Sequence, residues 1–428
     1  MTHARYIVGD VRDVLATIPT GSVDLVLTSP PFLALRSYLP ADHPDKHREI
    51  GSEPDPATFL DTLLLLTAEW GRVLAPHGSI CVELGDTYSG SGGAGGDYNP
   101  DGLRDGQNGS TGSASRGRVG RVGKDRHPDG FSGRSSHGAP GGSGWPLPKS
   151  LCGIPHLYHL SLAYGRNLLT GEESPAGRWR VRNVVAWCRP NPPVGALGDK
   201  FRPATSYMTI ATRAQRRYFD LDAVRTADDG PPPSGGTGMK SGVPRAAKGL
   251  ESNPAGAPPL DYWVIPTQPY SGSHYAVYPP ALCERPIKAM CPAKVCTVCG
   301  APSERITSEP TYVKPDGSAH EFHGDGFVDD TGTMANRRKV TGHDNGNMTR
   351  TTTTIGWTEC ECPDDGTKWR PGVVLDPFAG SGTTLVVATG QGRDAIGIDI
   401  DSRNADLALD RVGPLLLTVE HLADEVAR

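Results

Sequence analysis

The chain has 428 residues, 36% of them hydrophobic, and a formal net charge of -5. That length suffices for one large α/β domain with insertions or for two domains, and 54 glycines with 39 prolines commit much of it to loops. No apolar run approaches the ~18 residues of a membrane span, and the opening MTHARYIVGD lacks the charged-then-apolar pattern of a signal peptide. A cytoplasmic protein is expected, with no membrane partner and no structural disulfides among its nine cysteines.

The predicted elements begin with two short β-branched strands, RYIVG (5–9) and VDLVLT (23–28), separated by the helical spacing of VRDVLATIP. A longer helix fits 56–76, opening at Pro56 and stopped by Pro76-His77-Gly78, and the strand SICVEL (79–84) follows. This βαβα alternation predicts an α/β protein with a mostly parallel sheet. Residues 86–148 then carry Gly, Ser and charge with almost nothing to bury, and read as a mobile insertion. Order is expected to resume with a helix from about Pro155. Two strands follow, RVRNVVAWCR and SYMTIAT, suited to an antiparallel pair at a sheet edge. Residues 225–260 are again Gly/Pro-rich, a helix fits ALCERPIKAM, and 292–370 is a polar insert bracketed by cysteines. From 371 the chain returns to strand, turn, helix and strand.

These shifts divide the chain into a core at 1–85, the insertion at 86–148, core at 149–224, a loop-rich segment at 225–260, core at 261–291, the insert at 292–370 and core at 371–428. From Arg178 to Arg217 nine basic residues stand against the single acid Asp199, either a solvated face or a track for a polyanion.

Two motifs bear on chemistry. VVLDPFAGSGTT reads as a strand, a glycine turn and a helix start, and AIGIDID as a second strand ending in acids. Gly380 and Gly382 let backbone approach a ligand that a side chain would exclude. Asp399, about twenty residues on, stands where a carboxylate accepts from ribose hydroxyls. No Lys follows the second glycine, which excludes a Walker loop, and the third glycine of the NAD fingerprint is absent. The unit predicts a nucleoside-type cofactor; a lone GxG would equally be a tight turn. At the other end, TSPPF follows the strand VDLVLT, and two prolines without an N–H stop it abruptly. Either the strand simply ends in a turn, or the stop is itself the working part.

A resemblance favours the second alternative without removing the first. DPFAGSGTT resembles the S-adenosylmethionine-binding motif of DNA amino-methyltransferases, and TSPPF resembles their catalytic tetrapeptide, with VVAWCRPNPP, YFD and HYAVYPP similar to landmarks between them. The order, catalytic motif first, is similar to the β group. The resemblance implies a Class I S-adenosylmethionine-dependent methyltransferase fold: a permuted, mostly parallel sheet with one antiparallel strand and loop-rich insertions. It implies Ser29, Pro30, Pro31 and Phe32 as the catalytic segment. Around the cofactor it implies Asp376, Phe378, Ala379, Gly380, Ser381, Gly382, Thr383, Thr384 and Asp399, with Asp10, His274 and Tyr275. Helix capping is the other reading of Asp10, Asp376, Thr383 and Thr384, and packing that of Phe378, His274 and Tyr275. In the family, Ser at the first tetrapeptide position is commoner with cytosine N4, and Asp with adenine N6. The expected activity is therefore site-specific methylation of cytosine N4 in double-stranded DNA by base flipping. An adenine-N6 enzyme, or a zinc-stapled DNA-binding protein without activity, is the alternative. A companion restriction endonuclease is compatible with it.

CTVC (296–299) and CEC (360–362) supply four thiols in two close pairs. Tetrahedral zinc takes four soft ligands, so Cys296, Cys299, Cys360 and Cys362 are expected either to hold structural zinc or to remain reduced thiols.

Overall fold

The computed structural model describes residues 2–35, 37–39, 42–89, 144–192, 200–226, 257–268, 278–308, 311–313, 319–320, 349–351 and 353–422. Most of the Gly/Ser-rich insertion, most of 225–260, much of the cysteine-bracketed insert, and His274 and Tyr275 lie outside the described residues. The chain separates into two units. One comprises 1–219, 260–302 and 361–428; the other comprises 220–259 and 303–360.

The first unit opens with strand β1 (Ala4–Val8), helix α1 (Val11–Thr17), strand β2 (Val23–Thr28), helix α2 (Pro56–Val73) and strand β3 (Leu74–Leu84). Helix α3 (Ile154–Tyr164), β4 (Arg180–Cys188), β5 (Thr205–Thr212), β6 (Tyr262–Val264), α4 (Pro280–Met290) and β7 (Val295–Cys296) follow. The second unit contributes β8 (Arg305–Thr307), β9 (Thr311–Val313), β10 (Ala319–His320), β11 (Thr349–Thr351) and β12 (Thr354–Trp357). The chain then returns with β13 (Trp369–Arg370), β14 (Val373–Asp376), α5 (Thr383–Gly390), β15 (Asp394–Asp399), α6 (Arg403–Val412) and β16 (Leu417–His421).

Nine strands form one sheet in the order β16-β1-β15-β14-β2-β3-β5-β4-β6. Every neighbouring pair is parallel except β3 with β5 and β4 with β5, so β5 alone runs against the rest. This is the mostly parallel α/β sheet with one antiparallel strand that the sequence implies. The strand β2 is buried at every position, as a central parallel strand covered on both faces must be. Helix α2 starts where Asp55 accepts from the Thr58 N–H at 2.8 Å and Pro56 presets the first turn. Its inner face (Phe59, Leu60, Leu63, Leu64 and Trp70) packs into the same core as Tyr158 and Leu162 of α3 and Ile80 and Val82 of β3.

The structure differs from the sequence reading in several places. Helix α2 stops at Val73 rather than continuing to 76, because the residue before Pro76 is disfavoured in helical geometry, and Leu74 instead pairs with Val23. β4 and β5 are not an edge pair, since β6 lies outside β4. β16, for which the sequence reading has no strand, flanks β1 on the far edge.

In the second unit, β9 pairs antiparallel with β10 and β11, and β8 with β12. An Arg305–Asp220 ion pair at 2.9 Å ties its two segments together. Among the described residues no helix is long and apolar enough to cross a membrane.

Candidate active site

A single cleft opens at the carboxyl ends of β1, β2, β14 and β15, where open α/β sheets place ligands. Its lining includes Ser29, Pro30, Pro31 and Phe32 together with Phe378, Ala379, Gly380, Ser381, Thr383 and Asp399. Residues some 350 positions apart thus meet at one cleft, because β14 inserts beside β2 and pairs Val374 with Leu25 and Leu375 with Val26.

The Ser-Pro-Pro-Phe segment is held by contacts with β3 and the residue after it. The Ser29 hydroxyl donates to Glu83 Oε2 at 2.6 Å, and Glu83 sits near the end of β3, buried. Burial pushes the Glu83 carboxyl above the usual carboxylate range, against the pull of hydrogen bonds from Ser206 and Ser29 and of Arg189. The Phe32 ring rests on Gly85, where a β-carbon would come within 2.6 Å of it. The glycine after β3 is therefore what admits the ring.

The glycine turn is pinned at each residue. Gly380 takes φ +50, its N–H donates to Asp399 Oδ2 at 2.8 Å, and its carbonyl accepts from the buried Tyr6 hydroxyl at 2.7 Å. Gly382 takes φ +77, and a β-carbon there would meet Ala408 of α6 at 2.9 Å. Gly382→Ala combines backbone strain with overpacking, and is expected to cost about 1–3 kcal/mol of stability, read as a lower denaturant midpoint. The Ser381 and Thr383 hydroxyls accept from Arg411 at 2.6 and 2.9 Å, which fastens the loop to α6. Asp399 lines the cleft with its Oδ1 accepting from the Asp401 N–H (2.9 Å) and Asn404 Nδ2 (3.1 Å). Burial raises its carboxyl to about 6 despite these donors.

The remaining cofactor residues read from the sequence are placed differently. Asp10 lines the cleft and also caps α1, its Oδ1 accepting from the Arg12 N–H at 2.8 Å. Arg12 and Arg48 each reach its Oδ2 at 3.1 Å. Gly382 packs against α6, and Asp376 and Thr384 sit in a buried bracket beneath the cleft. Asp376 accepts from Thr28 Oγ1 (2.6 Å), Thr384 Oγ1 (2.5 Å), the Tyr278 hydroxyl (2.9 Å) and the Phe378 N–H (3.1 Å). The bracket joins the strand that carries Ser29 to the turn that carries Gly380. Burial raises the Asp376 carboxyl, and four donors oppose that rise.

Sequence reasoning missed Tyr6, Thr28, Glu83 and Tyr278. Glu83 left a signal in its type, a lone carboxylate within the apolar strand SICVEL, where an acid must have a partner to be buried, and Thr28 and Tyr278 stand inside the TSPPF and HYAVYPP segments with no role assigned to them there. The others act through contacts that span the chain, such as Tyr6 to Gly380 across 374 positions.

The predicted thiol group is also assembled. The sulfurs of Cys296, Cys299 and Cys362 lie within 4.8 Å of one another, and Cys360, linked to Cys362 through Glu361, belongs to the same group. None of the nine cysteines forms a disulfide.

A family model described as DNA methylase matches residues 23–294 and 368–410. The chain is 27% identical to the Type II methyltransferase M.Cfr9I of Citrobacter freundii over 275 residues, 64% of this chain and 68% of that protein. It is 21% identical to the Type II methyltransferase M.SmaI of Serratia marcescens over 419 residues, 96% and 91% of the two chains. Among solved structures it is similar to the cytosine-N4-specific PvuII DNA methyltransferase, at 13% identity and a TM-score of 0.44 over 98% and 95% of the two chains.

Proposed function

The chain belongs to the DNA methylase family, and from that membership we propose that it transfers a methyl group from S-adenosylmethionine to the exocyclic N4 amine of cytosine, on a base turned out of duplex DNA. One observation carries the reading: the Ser-Pro-Pro-Phe segment and the glycine turn with Asp399 line one and the same cleft.

S-adenosylmethionine, when bound, supplies a methyl group made electrophilic by a sulfonium. The residues present fit it. The turn at Gly380 presents bare backbone to the cleft, and the Asp399 carboxylate stands ready to accept from ribose hydroxyls. Phe378 and Ala379 add apolar surface to the same cleft.

The amine is the other half of the problem. Its lone pair is delocalised into the ring, so it must be held and its N–H groups met by acceptors. Ser29 Oγ gives its own proton to Glu83 and so keeps lone pairs for the amine. The carbonyls of the Ser-Pro-Pro backbone are fixed in direction by the proline rings. Phe32 offers a face on which an extruded base stacks, worth about 1–3 kcal/mol, comparable with the cost of unstacking it. The amine sheds its proton after transfer, so catalysis is positioning and electrostatics. Ser29, in place of the Asp usual in adenine-N6 relatives, supports cytosine N4. Exposed Arg178, Arg180, Arg182, Arg213 and Arg216 are the residues proposed to follow phosphates, which makes binding salt-sensitive.

DNA from a host expressing the protein should carry N4-methylcytosine at one recurring sequence, read by sequencing that separates it from N6-methyladenine. N6-methyladenine there would replace the cytosine assignment. Absence of methyl transfer to any DNA from labelled cofactor would remove the enzymatic reading altogether.

A further inference from the structure

We propose that Cys296, Cys299, Cys360 and Cys362 hold one structural zinc ion that closes the neck from which residues 300–359 are inserted. Cys296 ends β7 and is buried. β7 pairs antiparallel with β13, with Trp369 opposite Cys296. Between the first two thiols the chain makes a tight reversal. The Gly300 N–H donates to the Cys296 carbonyl at 3.0 Å, Gly300 takes φ +70, and the Cys296 N–H donates to the Ala301 carbonyl at 2.9 Å. Such a turn presents both sulfurs of a C-x-x-C to one side. The returning chain is brought alongside by Thr297, whose N–H donates to the Lys368 carbonyl at 2.8 Å. A turn at Asp364-Asp365-Gly366-Thr367, held by the two carboxylates, leads from Cys362 back to that strand.

The sulfur spacing matches the ion. A tetrahedron with Zn–S near 2.3 Å has sulfurs about 3.8 Å apart, and the four here lie within 4.8 Å of one another without a disulfide. Four thiolates are a soft ligand set that favours zinc over magnesium or calcium. The neck also needs such a staple. Residues 297–300 and 363–367 are exposed, and β7 and β13 are two residues long each. Val295 and Cys296 are buried, but the exposed loops beyond them add little apolar contact between the two crossings, whereas a metal bridging them joins them directly.

The site is structural rather than catalytic. Arg370 of β13 pairs with Asp24 of β2 at 2.7 Å, and Gly372 packs so closely on the Pro292 carbonyl that a β-carbon would sit 2.2 Å from it. The neck therefore braces β14 at its entry, whereas the cleft lies at the strand's exit.

The test is metal analysis of the full-length chain, purified with a reductant and no chelator. About one equivalent of zinc is expected, released in step with the modification of about four thiols by an organomercurial. Replacement by cobalt should give the intense visible bands and thiolate charge-transfer absorption of a tetrahedral sulfur site. The double variant Cys299→Ser, Cys362→Ser should lose more than about tenfold in zinc affinity, while Cys188→Ser keeps it. The proposal fails if the wild-type chain neither carries nor takes up zinc, if it carries iron instead, or if cobalt gives a weak six-coordinate spectrum. Undiminished zinc in the double variant would overturn it as well. These readouts are independent of methylation, so they separate this site from the proposed activity.

Discussion

Ser29→Ala will lower the single-turnover rate of methyl transfer by about 10²–10³-fold, the loss seen when one oriented charge-stabilising contact is removed, while S-adenosylmethionine affinity changes less than about threefold. Glu83→Gln should cost a comparable factor, although it never touches the base. The hydroxyl proton of Ser29 is committed to Glu83 Oε2 at 2.6 Å, which leaves the oxygen an acceptor toward the cleft. A glutamine can offer its NH₂ to that oxygen instead. The serine proton then turns outward and meets the amine's N–H groups donor to donor. Because both variants remove one arrangement, the double variant should be no worse than Ser29→Ala alone; multiplied losses would show that the two act separately.

The pH dependence distinguishes orientation from damage. Burial raises the Glu83 carboxyl above the ordinary carboxylate range. Activity should therefore fall on the acid side as pH drops through that raised value, where Glu83 protonates and can itself donate to Ser29. The Gln variant should lose this limb. Stability carries the opposite sign. A group whose folded pKa is raised contributes stability below its unfolded value, and loses it as pH rises through the folded one. At neutral pH the ionised Glu83 is thus a cost, so Glu83→Gln should melt no lower than wild type despite its lost activity. A Gln variant that keeps full rate, or one that is slow only because it is unfolded, would refute the role.

What the sequence made legible follows from chain-local physics. Prolines at 30 and 31, glycines at 380 and 382 and the buried run VDLVLT each dictate local backbone whatever else the chain does, and each stands where the motif reading put it. The antiparallel pairing of β4 with β5 also followed from two successive strand patterns joined by a Pro-rich link, whereas their place inside the sheet did not. Illegible were the partners that only the completed sheet brings near. Glu83 reads as one acid in an apolar strand until β3 lies beside β2 and places it under Ser29. Tyr278 reads as one of several aromatics until α4 delivers it to Asp376. The ion pairs and hydrogen bonds around Asp24, a buried acid in β2, join Arg370 and His77 from segments far apart in the chain. No periodicity encodes such meetings, since they depend on strand order rather than on spacing.

Cofactor affinity should weaken as pH falls through about 6, and the cause is Asp399. Its carboxyl is raised to about 6 by burial, and the Asp401 N–H, Asn404 side chain and Gly380 N–H hold it in place. Ribose hydroxyls donate to the ionised form, so binding must select the carboxylate. Below the raised value the protein must first lose a proton, and Kd for S-adenosylmethionine should climb toward tenfold per pH unit. The cofactor's own groups do not mimic this, since an α-carboxyl titrates near 3.5 and an α-amine near 8 by comparison with ordinary values (roughly, from peptides). Asp399→Asn removes a charged acceptor, worth about 1.5–3 kcal/mol or on the order of 10–100-fold in Kd. Its affinity should be weaker throughout and flat between about pH 5 and 7, because the titrating group is gone. Calorimetry in buffers of different ionisation enthalpy should also record proton release on binding near pH 6 in the wild type and none in the variant. If the variant bound weakly but kept the wild-type pH slope, the titrating acceptor would have to be another group, and Asp399 would be a prop for the glycine turn rather than a ligand to the cofactor.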